Sequence, residues 1–282
     1  DGTFETGRTA WKLDLPERNG LGIVVADFDE SGEVDLFVAN DAVANSYVAN
    51  LAAGVRQGRA CGDEALLSGL AFERDGKAQA CMGVACGDLD GDGLLDLFVT
   101  NYYDESNTLY RQQSAGLFVD ETARFDLRVP SFRLLGFGTQ AFDADLDGAL
   151  DLVLVNGHVD DFTHLKIPYR MRPQFFQQQG DRFVEGFAAT LGEWFAEGQL
   201  GRGLVTLDWN RDGRMDFAVS HLDSPAALLE NRSDTAQRRF VSVRLVGVQG
   251  NRDAVGALVR VRAGGREPRR QVTAGDGYPA SN

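Results

Sequence analysis

Short apolar, β-branched runs recur along the chain, each followed by a tight acidic stretch with glycine and then by a second apolar run. Ile23, Val24 and Val25 lead into one such stretch, and Leu36, Phe37 and Val38 lead out of it. The runs lack helical periodicity and are bounded by turn residues, a pattern that predicts strand, turn, strand. Residues 22–40, 83–101, 138–156 and 203–221 align without gaps, opening on Gly22, Gly83, Gly138 and Gly203 and closing on Asn40, Asn101, Asn156 and His221. The first aspartate of the acidic stretch recurs as Asp27, Asp88, Asp143 and Asp208, after 61, 55 and 65 residues. That period suits one small sheet of four strands, the size of a propeller blade. Phe4, Phe118 and Phe183 precede the next first aspartate by 23, 25 and 25 residues and read as core aromatics of a further strand. The stretch Asn50 to Leu70 breaks this pattern, as a drifted repeat or a longer loop would.

The pattern changes after Ala236. Residues 236–282 hold nine arginines against Asp253, Glu267 and Asp276, a balance of +6 that leaves −20 for residues 1–235 out of a total of −14. We therefore expect two domains, a repeat domain over 1–235 and a small β module over 236–282, with strands at Phe240–Leu245 and Ala257–Arg262 and a tight turn at 263–265. The tail arginines read as a solvated face that docks on the acidic repeats.

Composition narrows the function. The 42 carboxylates outnumber 28 Lys plus Arg, which argues against nucleic acid as a partner. Apolar stretches such as Ile23–Ala26 and Leu152–Val155 fall far short of the roughly 20 residues of a spanning helix, so no membrane insertion is expected. The 33 glycines against seven prolines lack a collagen period and indicate many tight turns. Three cysteines are too few for a disulfide scaffold and leave room for one Cys61–Cys81 bridge. Cys81 and Cys86 replace small or aliphatic residues of the other repeats and read as packed strand residues.

Within each acidic stretch, oxygen-bearing side chains stand at relative positions 1, 3, 5 and 9, with glycine at 6. The sets are Asp27, Asp29, Ser31 and Asp35; Asp88, Asp90, Asp92 and Asp96; Asp143, Asp145, Asp147 and Asp151; and Asp208, Asn210, Asp212 and Asp216. Alternate residues of a coiled loop can face one centre, and hard oxygen donors in that number favour Ca²⁺, up to four ions in all. An EF-hand would need glutamate at position 12, where Val38, Val99, Leu154 and Val219 stand. The 14 aspartates at these positions repel one another, and four Ca²⁺ would bring −14 to about −6. By carboxylate count, the first and fourth loops should bind more weakly than the second and third. Metal-free Asx-turns are the competing explanation of any single loop.

These residues resemble the FG-GAP/VCBS repeat of integrin-like β-propellers. Asn107–Arg111, Leu135–Gly138 and Val155–His158 look like the bacterial branch related to cartilage acidic protein, and Leu245–Gly256 with Gly275–Tyr278 is similar to the ASPIC/UnbV module that follows such propellers. The resemblance implies an all-β fold: a secreted, periplasmic or cell-surface, calcium-stabilised β-propeller of about seven blades. It would serve as a binding or adhesion scaffold for a protein or glycan ligand. With four loops, a first residue in mid-repeat and a short tail, we read the chain as a fragment: an incomplete ring of about four blades and a partial tail module, without its signal peptide.

No catalytic constellation stands out. His221 occupies the slot of Asn40, Asn101 and Asn156 and reads as a turn-capping group. His158 and His164, with Asp160 and Asp161, lie in a longer loop without zinc-type spacing. Trp11, Trp194 and Trp209 read as packed or loop-shielding aromatics rather than sugar platforms. The expectation is a non-enzymatic protein. Its rival is a carbohydrate- or lipid-active enzyme on a propeller scaffold, with catalysis on loops such as 158–174 or on blades outside this chain.

Overall fold

The computed structural model describes residues 15–50, 62–236, 238–248, 250–262 and 268–278. Phe4, Trp11, Cys61 as the possible bridge partner of Cys81, and the turn at 263–265 lie outside them. Four antiparallel sheets follow one another along the chain. The first holds β1 (Gly20–Ala26), β2 (Asp35–Asn40) and β3 (Ser46–Val48). The second holds β4 (Cys81–Gly87), β5 (Asp96–Asn101), β6 (Thr108–Ser114) and β7 (Leu117–Asp120). The third holds β8 (Gly136–Phe142), β9 (Asp151–Asn156), β10 (Gln174–Gln178) and β11 (Phe183–Glu185), and the fourth holds β12 (Gly201–Leu207), β13 (Asp216–His221) and β14 (Ala227–Leu229). Each is an up-and-down meander, and the first strands β1, β4, β8 and β12 pack against one another in chain order. The result is a β-propeller-like, all-β fold. Among the described residues no helix is long and apolar enough to cross a membrane.

The repeat seen in sequence is a repeat of register. Ala26 pairs with Asp35, Gly87 with Asp96, Phe142 with Asp151 and Leu207 with Asp216, so every acidic stretch closes the same hairpin at the same point. Gly22, Gly83 and Gly138 let consecutive first strands approach backbone to backbone, because a Cβ there would collide with Met82, Phe137 and Arg202 carbonyls respectively.

The core lies between blades. Phe28, Phe37 and Tyr47 of the first pack with Leu97, Tyr110 and Phe118 of the second, and Phe28 meets Phe118 edge-on at 5.9 Å. Leu89, Phe98 and Phe125 pack with Leu152, Phe176 and Phe183 between the second and third, and Phe142 and Val153 with Phe195 and Phe217 between the third and fourth. Each such aromatic contributes roughly 1.5–3 kcal/mol on burial, so adjacent blades depend on one another. Phe118 and Phe183 sit buried on β7 and β11, as expected of a further strand. Before Asp88 a one-turn helix, Ala65–Ser68, and buried Leu70 close this side of the first blade.

The tail differs from expectation in one element. Phe240–Leu245 is not a strand; Phe240 instead lays its ring over Gly213 of the fourth acidic loop. A short hairpin of β15 (Leu258–Arg260) and β16 (Arg269–Gln271) does form. Beyond it, Ala274 bridges Val25 on β1 and Gly277 bridges Val84 on β4, while Tyr278 packs on Phe137. The segment after β16 thus runs along the innermost strands of three blades.

Candidate metal centre

Twelve of the sixteen predicted ligands lie in the hairpin loops between the first two strands of their blades and the other four open the second strand, and the backbone coils each set inward. Position 4 is left-handed in every loop: Glu30 (φ 55°), Gly91 (φ 80°), Leu146 (φ 61°) and Arg211 (φ 61°). Position 6 is left-handed again, and always glycine: Gly32, Gly93, Gly148 and Gly213. The carboxylate at position 1 caps the coil. Asp27 accepts the Ser31 and Gly32 N–H groups at 3.0 and 2.9 Å, Asp143 those of Asp147 and Gly148 at the same distances, and Asp208 those of Asp212 and Gly213, both at 3.0 Å. Position 3 accepts from the N–H at position 5 in all four loops, an Asx-turn.

Position 9 does a second job. Asp35, Asp96, Asp151 and Asp216 are buried, and each accepts at least two backbone N–H groups with its two oxygens. One comes from position 2 of its own loop, namely Phe28, Leu89, Ala144 and Trp209, at 2.8–3.2 Å. The other comes from the third strand or two residues past its end, namely Asn50, Gln112, Gln178 and Asn231, at 2.6–2.9 Å. This residue pins the hairpin to its neighbouring strand whatever else it binds.

Carboxylate oxygens of Asp27, Asp29 and Asp35, of Asp88, Asp90 and Asp96, and of Asp143, Asp145 and Asp147 lie within 4.8 Å of one another in three groups. Among the described residues, Asp208, Asp212 and Asp216 form no such group. Burial, first of all, raises Asp27, Asp88 and Asp143 above the ordinary carboxylate range, and neighbouring aspartates add to it. The same causes push Asp35 up to about 6, Asp151 to about 7 and Asp96 to about 8, with backbone N–H groups pulling the other way. In the fourth loop Asp212 is instead lowered, chiefly by the Arg214 N–H. Three loops therefore gather hard oxygens, a donor set that fits Ca²⁺ or Mg²⁺ and offers nothing to a thiophilic metal.

Residues 88–154 match the model of the FG-GAP-like repeat. Over 164 residues the chain is 26% identical to human cartilage acidic protein 1, an alignment that takes in 56% of this chain and 23% of that protein. Residues 88–154 thus carry an FG-GAP-like repeat. The chain spans about a quarter of that relative's length. A solved structure described as recognition of non-reducing terminal N-acetylglucosamine by an Agrocybe aegerita lectin superposes with a TM-score of 0.43 at 15% identity, covering 88% of this chain and 60% of that one.

The acidic loops also hold residues that spacing alone does not announce. Arg111 donates to both Asp90 and Asp92, Arg238 to Asp145 and Arg214 to Asp212. Three consecutive tail residues reach three different loops. Arg269 stacks over Gly93, Arg270 donates to the Gly148 carbonyl at 2.9 Å, and the Gln271 amide pairs with both the N–H (2.8 Å) and the carbonyl (3.0 Å) of Asp27. A cleft of about 330 Å³ between this hairpin and the first two loops is lined by Asp27, Asp88, Arg260, Arg269 and Gln271. The basic excess of the tail was the one sequence signal of this docking.

The histidines stand apart from the loops. His221 places its Nδ1 2.8 Å from the Pro225 carbonyl, much as Asn40 and Asn101 donate to the carbonyls of Ala44 and Ser106. His158 is buried among Tyr102, Tyr103 and Phe162, accepts the Asp160 N–H at Nδ1, and is lowered from its ordinary value chiefly by burial. Trp194 packs on Phe195 and Phe217 as expected. Trp209 is 66% exposed, whereas its counterparts Phe28, Leu89 and Ala144 are covered by the following blade. Cys81 and Cys86 are buried free thiols on β4.

Proposed function

We propose that the chain is a calcium-binding repeat scaffold in which the ions hold the hairpin loops rigid and the blades present a recognition surface to a protein or glycan partner outside the membrane, at the cell surface or in a secreted or periplasmic setting. The observation that carries the reading is the gathering of three aspartate groups, each within 4.8 Å, at the same point of successive blades. Repulsion among these carboxylates destabilises the metal-free loops, and a divalent ion removes it. The ions are structural in this account, since the loops close hairpins whose cores are built elsewhere. The surroundings of His158 and His221 support a non-enzymatic role, because both rings serve packing and turn capping.

Thermal unfolding followed in chelator and then across rising Ca²⁺ tests the proposal. Binding to the folded chain alone should raise the melting temperature, by the equivalent of about 2.7 kcal/mol for one site at a hundredfold excess over its Kd. Asp29→Ala combined with Asp145→Ala should remove much of that rise. A melting temperature indifferent to calcium up to several millimolar would end the proposal.

A further inference from the structure

Arg111 sits on β6 at a position whose counterparts are Ala49, Gln177 and Glu230. The equivalence follows from register, because the preceding residues Tyr110, Val48, Phe176 and Leu229 pair with Leu97, Leu36, Leu152 and Phe217 at the same point of each blade. From this position a long side chain reaches the acidic loop of its own blade. In the third blade Gln177 donates its amide to Asp145 Oδ2 at 3.0 Å. In the second, Arg111 donates Nε to Asp90 Oδ2 and Nη2 to Asp92 Oδ2, the latter at 2.9 Å. One blade puts a neutral donor against its loop, and its neighbour puts a cation there.

The arginine is built in rather than draped over the surface. Its side chain is 18% exposed and that of Asp90 10%, so solvent and salt screen the pair poorly. Paired charge-assisted donors of this kind are strong. Arg238 and Arg214 each meet a single ligand carboxylate, and among the described residues no arginine contacts Asp27, Asp29 or Asp35. Glu121 Oε2, paired with Arg124 at 2.7 Å, lies 3.9 Å from Arg111 Nε, a third carboxylate towards which the guanidinium can turn if it leaves the loop.

We propose that Arg111 is a resident counter-cation of the second loop, which a divalent ion must displace. The second loop then binds Ca²⁺ more weakly than its four aspartates imply, and the first loop, with three, fills ahead of it. The inference rests on the calcium reading above. A guanidinium stays protonated at every usable pH, so this competition does not relax with pH as a histidine's would.

Calorimetric titration of the chelator-stripped full chain with Ca²⁺ is the test, comparing wild type, Arg111→Gln, Arg111→Lys and the double variant Asp90→Asn/Arg111→Gln. Arg111→Gln turns the second loop into a copy of the third at this position. One binding step should tighten about tenfold, equivalent to ~1.4 kcal/mol, with the others unchanged, and the gain should vanish in the double variant. Arg111→Lys keeps the charge without the fork and should tighten the step by less. In chelator Arg111→Gln should melt below wild type, and in millimolar calcium that gap should close or reverse. Wild-type binding constants in Arg111→Gln, or an equal loss of melting temperature with and without calcium, would overturn the inference while leaving the calcium reading intact. If Arg111→Gln fails to fold by circular dichroism, Arg111→Lys decides, and a step no tighter than wild type's then counts against the inference. Absence of any calcium uptake by wild type and variants alike would refute the calcium reading itself.

Discussion

Gln112 of the second blade donates its side-chain amide to the backbone carbonyl of Phe28 in the first, at 2.5 Å. Its amide oxygen meanwhile accepts the Leu95 N–H at 3.1 Å, and its own N–H goes to Asp96. The same rivet joins the next pairs of blades, from Gln178 to the Leu89 carbonyl at 2.5 Å and from Asn231 to the Ala144 carbonyl at 2.7 Å. A hairpin loop, its buried aspartate and the preceding blade are thus tied at one residue per repeat. Gln112→Ala leaves the Leu95 N–H without this partner and the Phe28 carbonyl with the Gly116 N–H at 3.2 Å, and an orphaned group costs about 1–3 kcal/mol. We expect a loss of that order or somewhat more in urea unfolding, and the same for Gln178→Ala. A change within 0.5 kcal/mol, the scatter of an ordinary surface substitution, would show that the rivets do not hold the blades.

These rivets mark how far the sequence could be read. Strand, acidic turn and strand were legible because alternation and glycine are local properties, and four copies in register made the blade visible. The burial of Asp35, Asp96, Asp151 and Asp216 was not legible, since these partners lie on or just past the third strand, 15 or more residues downstream. Gln112 and Gln178 read as ordinary polar residues until the third strand is placed. Phe240 was expected on a strand because the alternation around it is real, yet the ring is used against Gly213. Trp209 is expected to be covered, yet it is exposed, and among the described residues no blade packs over it as the following blades pack over Phe28, Leu89 and Ala144.

Two loop glycines separate backbone strain from packing. Gly148 and Gly213 both occupy position 6 with φ of 96° and 87°, but a Cβ on Gly148 meets open space and one on Gly213 meets the Phe240 ring. Gly148→Ala should cost about 1–2 kcal/mol, the penalty of a left-handed residue with a side chain. Gly213→Ala should cost more and release Phe240. Chemical denaturation gives the energies, and hydrogen exchange across residues 238–248 reports the release. Equal costs with unchanged exchange would mean that Phe240 contributes nothing at this site.

The buried aspartates give the metal-free protein an unusual pH dependence. Asp96 is pushed up to about 8, Asp151 to about 7 and Asp35 to about 6, each first by burial, from an ordinary value of 3.8. A folded-state value above the unfolded one means that the native chain holds protons the unfolded chain has released. The stabilisation is complete below the unfolded value and is lost as pH rises through the folded one. In chelator, stability should therefore fall from about pH 4 towards pH 8 and level off above it. Saturating calcium should flatten the slope, with protons released on uptake near pH 7. Urea midpoints at pH 5, 6, 7 and 8 in both conditions check this, and stability rising towards pH 8 in chelator would contradict it.

The tail is held to the loops by directed contacts, and Gln271 is the one to remove first. Its amide satisfies both backbone groups of Asp27, while Ala274, three residues on, exchanges hydrogen bonds with Val25 at 2.8 and 3.1 Å. Gln271→Ala removes two neutral hydrogen bonds at a half-buried site, a net cost of about 1–3 kcal/mol at this contact. Because the tail touches the blades through few buried apolar groups, that loss should appear as local opening rather than global unfolding. Amide exchange at Val25 and Val84 should accelerate several-fold while that of Phe98 and Leu152, in the blade cores, stays at the wild-type rate. Arg269→Gln with Arg270→Gln should open the same segment, and added salt should mimic this charge loss but not that of Gln271, since only the arginine contacts are screened. Uniform acceleration across all blades would show instead that the tail is part of the folding core.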